Sequence, residues 1–141
     1  MKQPEPSEWK ERDSYRKQIL ATEEEIGFDG IPVSGASGKS PEERDERSES
    51  SEFGGNLLQV VEIPPGEHVE PHFHRETEEV FYIQQAGGTL VVDGTEVTPE
   101  EGEVIICEPG DVHEVINDAD RVFRILVFKV NLTDDDTVWE S

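Results

Sequence analysis

The sequence predicts an all-β sandwich or barrel, and three observations carry that prediction. From Asn56 onward the chain breaks into short β-branched or aromatic runs: NLLQVVEI, HVEPHFH, EEVFYIQ, GTLVVDG, EVIIC, VHEVI and RVFRILVFKV. Between them stand turn sequences, PPG, AGG, DG, PEEG, EPG and NDAD. Short strands joined by tight turns build sandwiches or barrels, because each strand must bury one face against another sheet. The third observation is negative: there is no βαβ spacing, glycine-rich phosphate loop or helical repeat. With 141 residues, 33% of them hydrophobic, there is apolar material for one core but not for two full domains.

Taken in order, residues 1–55 read as an N-terminal extension. Ser7 is placed to cap a short helix over 7–19, although YRKQIL at 15–20 has the composition of an edge strand instead. Residues 27–55 are rich in Gly, Ser, Pro and like charges, and predict a flexible acidic loop. Residues 56–130 form the β domain. Asp93-Gly94 between LVV and TEV is the strongest hairpin signal in the chain, and Gly66, Gly102 and Gly110 mark sharp reversals. Residues 131–141 read as an acidic C-terminal tail.

Charge excludes some functions. There are 34 Asp plus Glu against 12 Lys plus Arg, a net charge of −22. Nonspecific affinity for nucleic acid comes from Lys and Arg neutralising phosphates, so DNA and RNA are not expected partners. The acid is concentrated in residues 53–141, which hold 20 acidic and 4 basic residues, rather than in the extension. Such a surface suits a halophile's cytoplasm, where salt screens self-repulsion. The N-terminus lacks the apolar core of a signal peptide and no run is long enough to span a membrane, which predicts a cytoplasmic chain. The single cysteine, Cys107, excludes an intrachain disulfide and reads as a buried small hydrophobe.

Three of the four histidines, His68, His72 and His74, fall within seven residues, and the fourth is His113. Residues i and i+2 of a strand share a face, so His72 and His74 can present both imidazoles to one cavity. Glu79, opening the next hydrophobic strand, can add a carboxylate oxygen, and His113 a third imidazole if its strand faces the same interior. His68 and Glu70 share the HxH parity, but Pro71 can interrupt the strand, which leaves them as ligands or as rim residues. If Glu79 points inward, Phe81 and Ile83 follow it, with Leu90 and Val92 as inward neighbours, while Val80 and Tyr82 face out.

The stretches GEHVEPHFHRETEE at 66–79 and GEVIICEPGDVHEVIN at 102–117 together resemble the two motifs of the cupin superfamily. The resemblance extends over the strands of about 56–130. It implies a double-stranded β-helix, the jelly-roll barrel of small single-domain cupins, with one divalent transition metal ion (Mn, Fe, Zn, Ni or Co) held by His72, His74, Glu79 and His113. It also implies that Asn117 is structural rather than a ligand. Two positions depart from the pattern, Ala86 where a glycine is usual and Glu108 where a proline is usual, and both concern turns rather than ligands.

The expected pocket is apolar-walled, with no second cluster of Lys or Arg. Arg75, Arg121 and Arg124 are the arginines of the β domain that are placed to reach an anionic group. No side chain stands out as a dedicated acid or base, so the catalytic residues are unassigned. Two functions fit: a metal-dependent enzyme (dioxygenase, isomerase or lyase) acting on a small molecule, or a metal-stabilised ligand-binding or sensory domain without turnover. Exposed edges on so short a barrel, crossed or paired by the Tyr15 segment, further predict a homodimer.

Overall fold

The computed structural model of the chain describes residues 1–26, 55–133 and 136–140. The elements are β1 (Lys10–Glu11), β2 (Arg16–Ala21), α1 (Glu23–Ile26), β3 (Gly55–Ile63), β4 (His68–His74), β5 (Glu78–Gln85), β6 (Thr89–Val92), β7 (Thr95–Val97), β8 (Val104–Cys107), β9 (His113–Ile116), β10 (Phe123–Leu132) and β11 (Thr137–Trp139). Among the described residues they form two antiparallel sheets resembling a jelly roll. One is six-stranded, in the order β1-β2-β3-β10-β5-β8, and the other five-stranded, β11-β4-β9-β6-β7.

Both sheets contribute to one core. Ile63, Phe81, Ile83, Cys107, Phe123, Ile125 and Val127 from the first sheet pack with Val69, Leu90 and Val115 from the second. The alternation on β5 holds as read: Glu79, Phe81 and Ile83 are buried, whereas Tyr82 is 43% exposed. Leu90 is fully buried and Val92 packs against the core from a half-buried position. Ile83, Leu90 and Phe123 each remove a large side chain from water, worth about 1.5–3 kcal/mol apiece.

Turn chemistry explains the connections. Asp93 and Gly94 have φ of 48° and 81°, as a two-residue hairpin between β6 and β7 requires. Gly88 is needed for space, since a Cβ there would lie 2.3 Å from Phe123 Cδ2. The two departures from the motif pattern are absorbed locally. Ala86 packs against the core, and the 108–111 turn closes through Asp111 N–H to Glu108 O and Glu108 N–H to Asp111 Oδ2.

Of the two readings of the extension, helix over 7–19 or strand at 15–20, the structure forms the strand. Residues 7–19 contain β1 and most of β2, and β2 pairs with β3, Lys17 opposite Val61. A helix there would have too few apolar residues to bury, while a strand satisfies the open backbone edge of β3. Residues 131–141, expected as an acidic tail, supply the end of β10 and all of β11, which pairs with β4. The flexible loop expected over 27–55 lies outside the described residues, except for Gly55 at the start of β3.

Candidate metal centre

The site is assembled from both sheets. β4 and β9 are neighbours with His72 opposite His113, and two residues further along β4 comes His74. From the other sheet, Glu79 sits on β5 between Lys129 of β10 and Cys107 of β8, so that all three share its inner face. The donor atoms of His72, His74 and His113 lie within 4.8 Å of one another. Glu79 Oε1 is 2.8 Å from His74 Nε2 and 3.1 Å from His113 Nε2.

A bulge decides which histidines belong. On β4 Val69 and His72 both face inward although three residues apart, and the register with β9 shifts between them. Pro71 has no N–H to give the ladder, so the strand kinks there and its parity inverts. His68 and Glu70, nominally in phase with His72, are therefore exposed. His68 Nε2 pairs with Glu114 Oε2 at 2.6 Å on the surface, away from the cluster.

Each imidazole is oriented through its other nitrogen. His72 Nδ1 donates to Glu70 O at 2.8 Å, and His113 Nδ1 to Asp111 O at 3.2 Å. His74 Nδ1 meets the Thr137 hydroxyl at 3.2 Å. A carbonyl only accepts, so in neutral His72 and His113 the proton is on Nδ1 and the lone pair on Nε2. Burial, with the neighbouring His113, lowers His72 to about 4, which keeps the ring neutral near pH 7. Glu79 Oε1, by contrast, is buried with no hydrogen-bond partner. An imidazole lone pair and a carboxylate oxygen about 3 Å apart repel unless a cation lies between them, a proton or a metal ion. Burial alone would push the Glu79 carboxyl up; a proton carried on Nε2 of His113 or His74, with Lys129 behind, is what would hold it below the usual carboxylate range, so the site holds a cation at this point in either form. Three imidazole nitrogens and one buried carboxylate oxygen without a donor fit a divalent transition ion.

Further residues hold this set in place, and some escaped the sequence reading. Asp136 is buried and accepts backbone N–H groups from Arg75 (3.0 Å), Glu76 (3.0 Å) and Thr77 (2.9 Å). It thus fixes the turn between His74 and Glu79, and those hydrogen bonds hold its carboxyl below the ordinary value against burial. Its only sequence signal was an Asp before β11 in what read as a tail. Asn117 is fully buried and ties Ile63 O and Arg121 O through its amide, remote from the donor atoms. Trp139 of β11 lies over His72, ring centroids 4.5 Å apart.

The pocket corrects one expectation. It has a volume of about 170 Å³ and an apolar wall that includes Phe81, Ile125 and Val127, yet Tyr15, Lys17 and Lys129 also line it. A second basic cluster therefore exists, made of lysines from β2 and β10 rather than of the arginines. Arg124 is on the outer face, bound to Glu62, and neither Arg75 nor Arg121 lines the pocket. Cys107 is buried, which pushes its thiol up to about 12 and agrees with a packing role.

The model of the cupin domain family (Cupin_2) matches residues 59–129, half of the chain. No curated protein matches in sequence. Among solved structures, KdgF from Halomonas sp. is similar with a TM-score of 0.59 at 14% identity, over 91% of this chain and 89% of that one. A Streptomyces PAC13 variant solved with uridine gives 0.63 at 10% identity, over 96% and 85%. A predicted oxalate decarboxylase from Thermotoga maritima gives 0.54 at 19% identity, over 83% and 82%. Likeness at these identities establishes shared fold alone and selects no substrate.

Proposed function

The chain belongs to the cupin family, and from that premise we propose that it is a divalent-metal-dependent enzyme acting on a small molecule in the cavity between its sheets. We read the two sheets as the halves of a double-stranded β-helix, with the ion held by His72, His74, His113 and Glu79. The observation that carries this reading is the buried Glu79 Oε1, without a hydrogen-bond donor, facing two imidazole Nε2 atoms at 2.8 and 3.1 Å. The Nδ1 contacts to Glu70, Asp111 and Thr137 support it, because rings locked in this way lose little freedom on binding an ion.

When bound, the ion supplies Lewis-acid polarisation of a substrate oxygen or, if it is iron, access to oxygen chemistry. The remaining work falls to the chain. Val61, Ile63, Phe81 and Ile125 give the cavity an apolar wall, and Tyr15 and Lys17 bring proton-bearing groups into it. That pair favours turnover over a purely structural metal or a passive binding role. Metal analysis after anaerobic purification, with His72→Ala and His113→Ala beside the parent, tests the ligand set. Absence of a transition metal from the parent, or equal occupancy in the variants, refutes it. Substrate screening after reconstitution with Fe(II) or Mn(II) tests turnover, and oxygen uptake identifies a dioxygenase.

A further inference from the structure

The cavity is charged oppositely to the protein that encloses it. The chain holds 34 acids and a net charge of −22. Of the described residues that line the cavity Glu79 is the one acid, whereas Lys17 and Lys129 both face in. Only five lysines occur in the whole sequence, so two in one cavity is a concentration to be explained. Register puts them there. Lys17 on β2 stands opposite pocket-lining Val61, and Lys129 on β10 opposite Glu79. Between their rows, Gln59 of β3 adds a buried amide to the same lining.

The two ammonium groups are incompletely neutralised. Lys129 Nζ is 4.0 Å from Glu79 Oε2 with its side chain 16% exposed, and Lys17 has no carboxylate within ion-pair distance among the described residues. Burial and the charge of Lys129 lower the Lys17 ammonium to about 8, as expected for like charges held together away from water. One carboxylate, Glu79, stands against two ammonium groups walled by apolar side chains, and an ion bound at Glu79 would only add to the positive excess. Such an excess calls for an anion from outside.

We propose that the ligand of this site is a small organic acid, its carboxylate held by Lys17 and Lys129 and its body lying along the apolar wall toward the histidine cluster. The inference rests on the metal-centre reading only for the direction in which the body points; the lysine pair stands without it. The cavity of about 170 Å³ limits that body, since a cavity of about 150 Å³ accommodates a benzene ring.

The test compares acetate, pyruvate and benzoate with acetamide, pyruvamide and benzamide, by calorimetric titration of the full chain at constant ionic strength. Both metal-free and Co(II)-loaded protein are used, with the Co(II) spectrum as a separate record of metal binding. At least one acid should bind about tenfold or more tighter than its amide, as a charge-assisted hydrogen bond to each lysine implies. Lys17→Gln should reduce that preference, Lys17→Arg should retain it, and the Lys17→Gln/Lys129→Gln pair should abolish it. Equal binding of every acid and its amide overturns the proposal. So does a preference that survives the double variant and disappears in His72→Ala, since the carboxylate would then be held by the ion alone. Loss of Co(II) binding in the parent with the preference intact would refute the metal reading and leave this one standing.

Discussion

Glu62 and Glu79 are two buried carboxylates on opposite faces of one sheet, 3% and 5% exposed, and they are satisfied in opposite ways. On the outer face, each oxygen of Glu62 is claimed. Arg16 Nε and Nη2 reach Oε1 at 2.6 and 2.5 Å, Arg124 takes Oε2, and Arg16 in turn lies 4.2 Å over the Trp9 ring. On the inner face, Glu79 has one oxygen without a donor and the other 4.0 Å from Lys129. A guanidinium fork saturates a carboxylate and leaves no room for another cation. Imidazole nitrogens leave the carboxylate oxygen able to share a cation with them, a proton or a metal ion. Burial of an acid is therefore uninformative by itself; what separates an internal brace from a candidate ligand is whether its lone pairs are already spent.

Four predictions press on that contrast, from the largest effect to the smallest. Glu79→Ala should weaken binding of a divalent ion by more than about 100-fold, beyond what loss of an orienting contact costs, while the metal-free fold survives. Metal titration and urea unfolding of the same preparation check both halves, and an unchanged metal affinity would remove Glu79 from the ligand set. Glu62→Ala should do the reverse: stability falls by about 1–3 kcal/mol, the lower end allowing for half-exposed arginines, and metal stoichiometry is retained. A variant that unfolds at the same urea concentration as the parent would show that the outer pair is ornamental.

Asp136→Asn should lower metal affinity about tenfold by loosening the 75–77 turn, while the ligand atoms themselves remain. It also carries a pH signature. The carboxyls of Glu62 and Asp136 are held below their ordinary 4.5 and 3.8, burial opposing and hydrogen bonds outweighing it. Their stabilisation is thus fully present above those ordinary values and is lost as pH falls through the lower folded ones. Asp136→Asn and Glu62→Gln should each flatten the acid limb of the stability profile; an acid limb identical to the parent's in both would exclude this linkage. The smallest effect is salt. With a net charge of −22, thermal stability should rise by a few degrees as salt shrinks the screening length from about 10 Å at 0.1 M to about 3 Å at 1 M, and a flat response would count against self-repulsion.

The parity of His72 with His74 and of Glu79 with Phe81 and Ile83 was legible because a strand alternates with a fixed period. The exclusion of His68 was only half legible: Pro71 announced an interruption, but the bulge that inverts the parity is seen in the register of β4 with β9. Lys17, Lys129 and Asp136 were not legible as site residues. Each is a charged residue in a charged chain, near an end or in the extension, and nothing local distinguishes a solvated lysine from one facing a cavity. Lys17 acquires its role from β2 pairing with β3, and Asp136 from hydrogen bonds across more than fifty positions of sequence.

The sequence by itself determined the all-β class, the turn positions and the residue types of the donor set, because these depend on side-chain alternation and on glycine and proline chemistry that act over a few residues. Tertiary structure alone decided that Glu79 of one sheet meets His74 and His113 of the other with an unsatisfied oxygen, beside His72, and that two lysines join them. Those facts depend on which faces are turned toward each other, a matter of strand register and sheet packing that no local periodicity encodes.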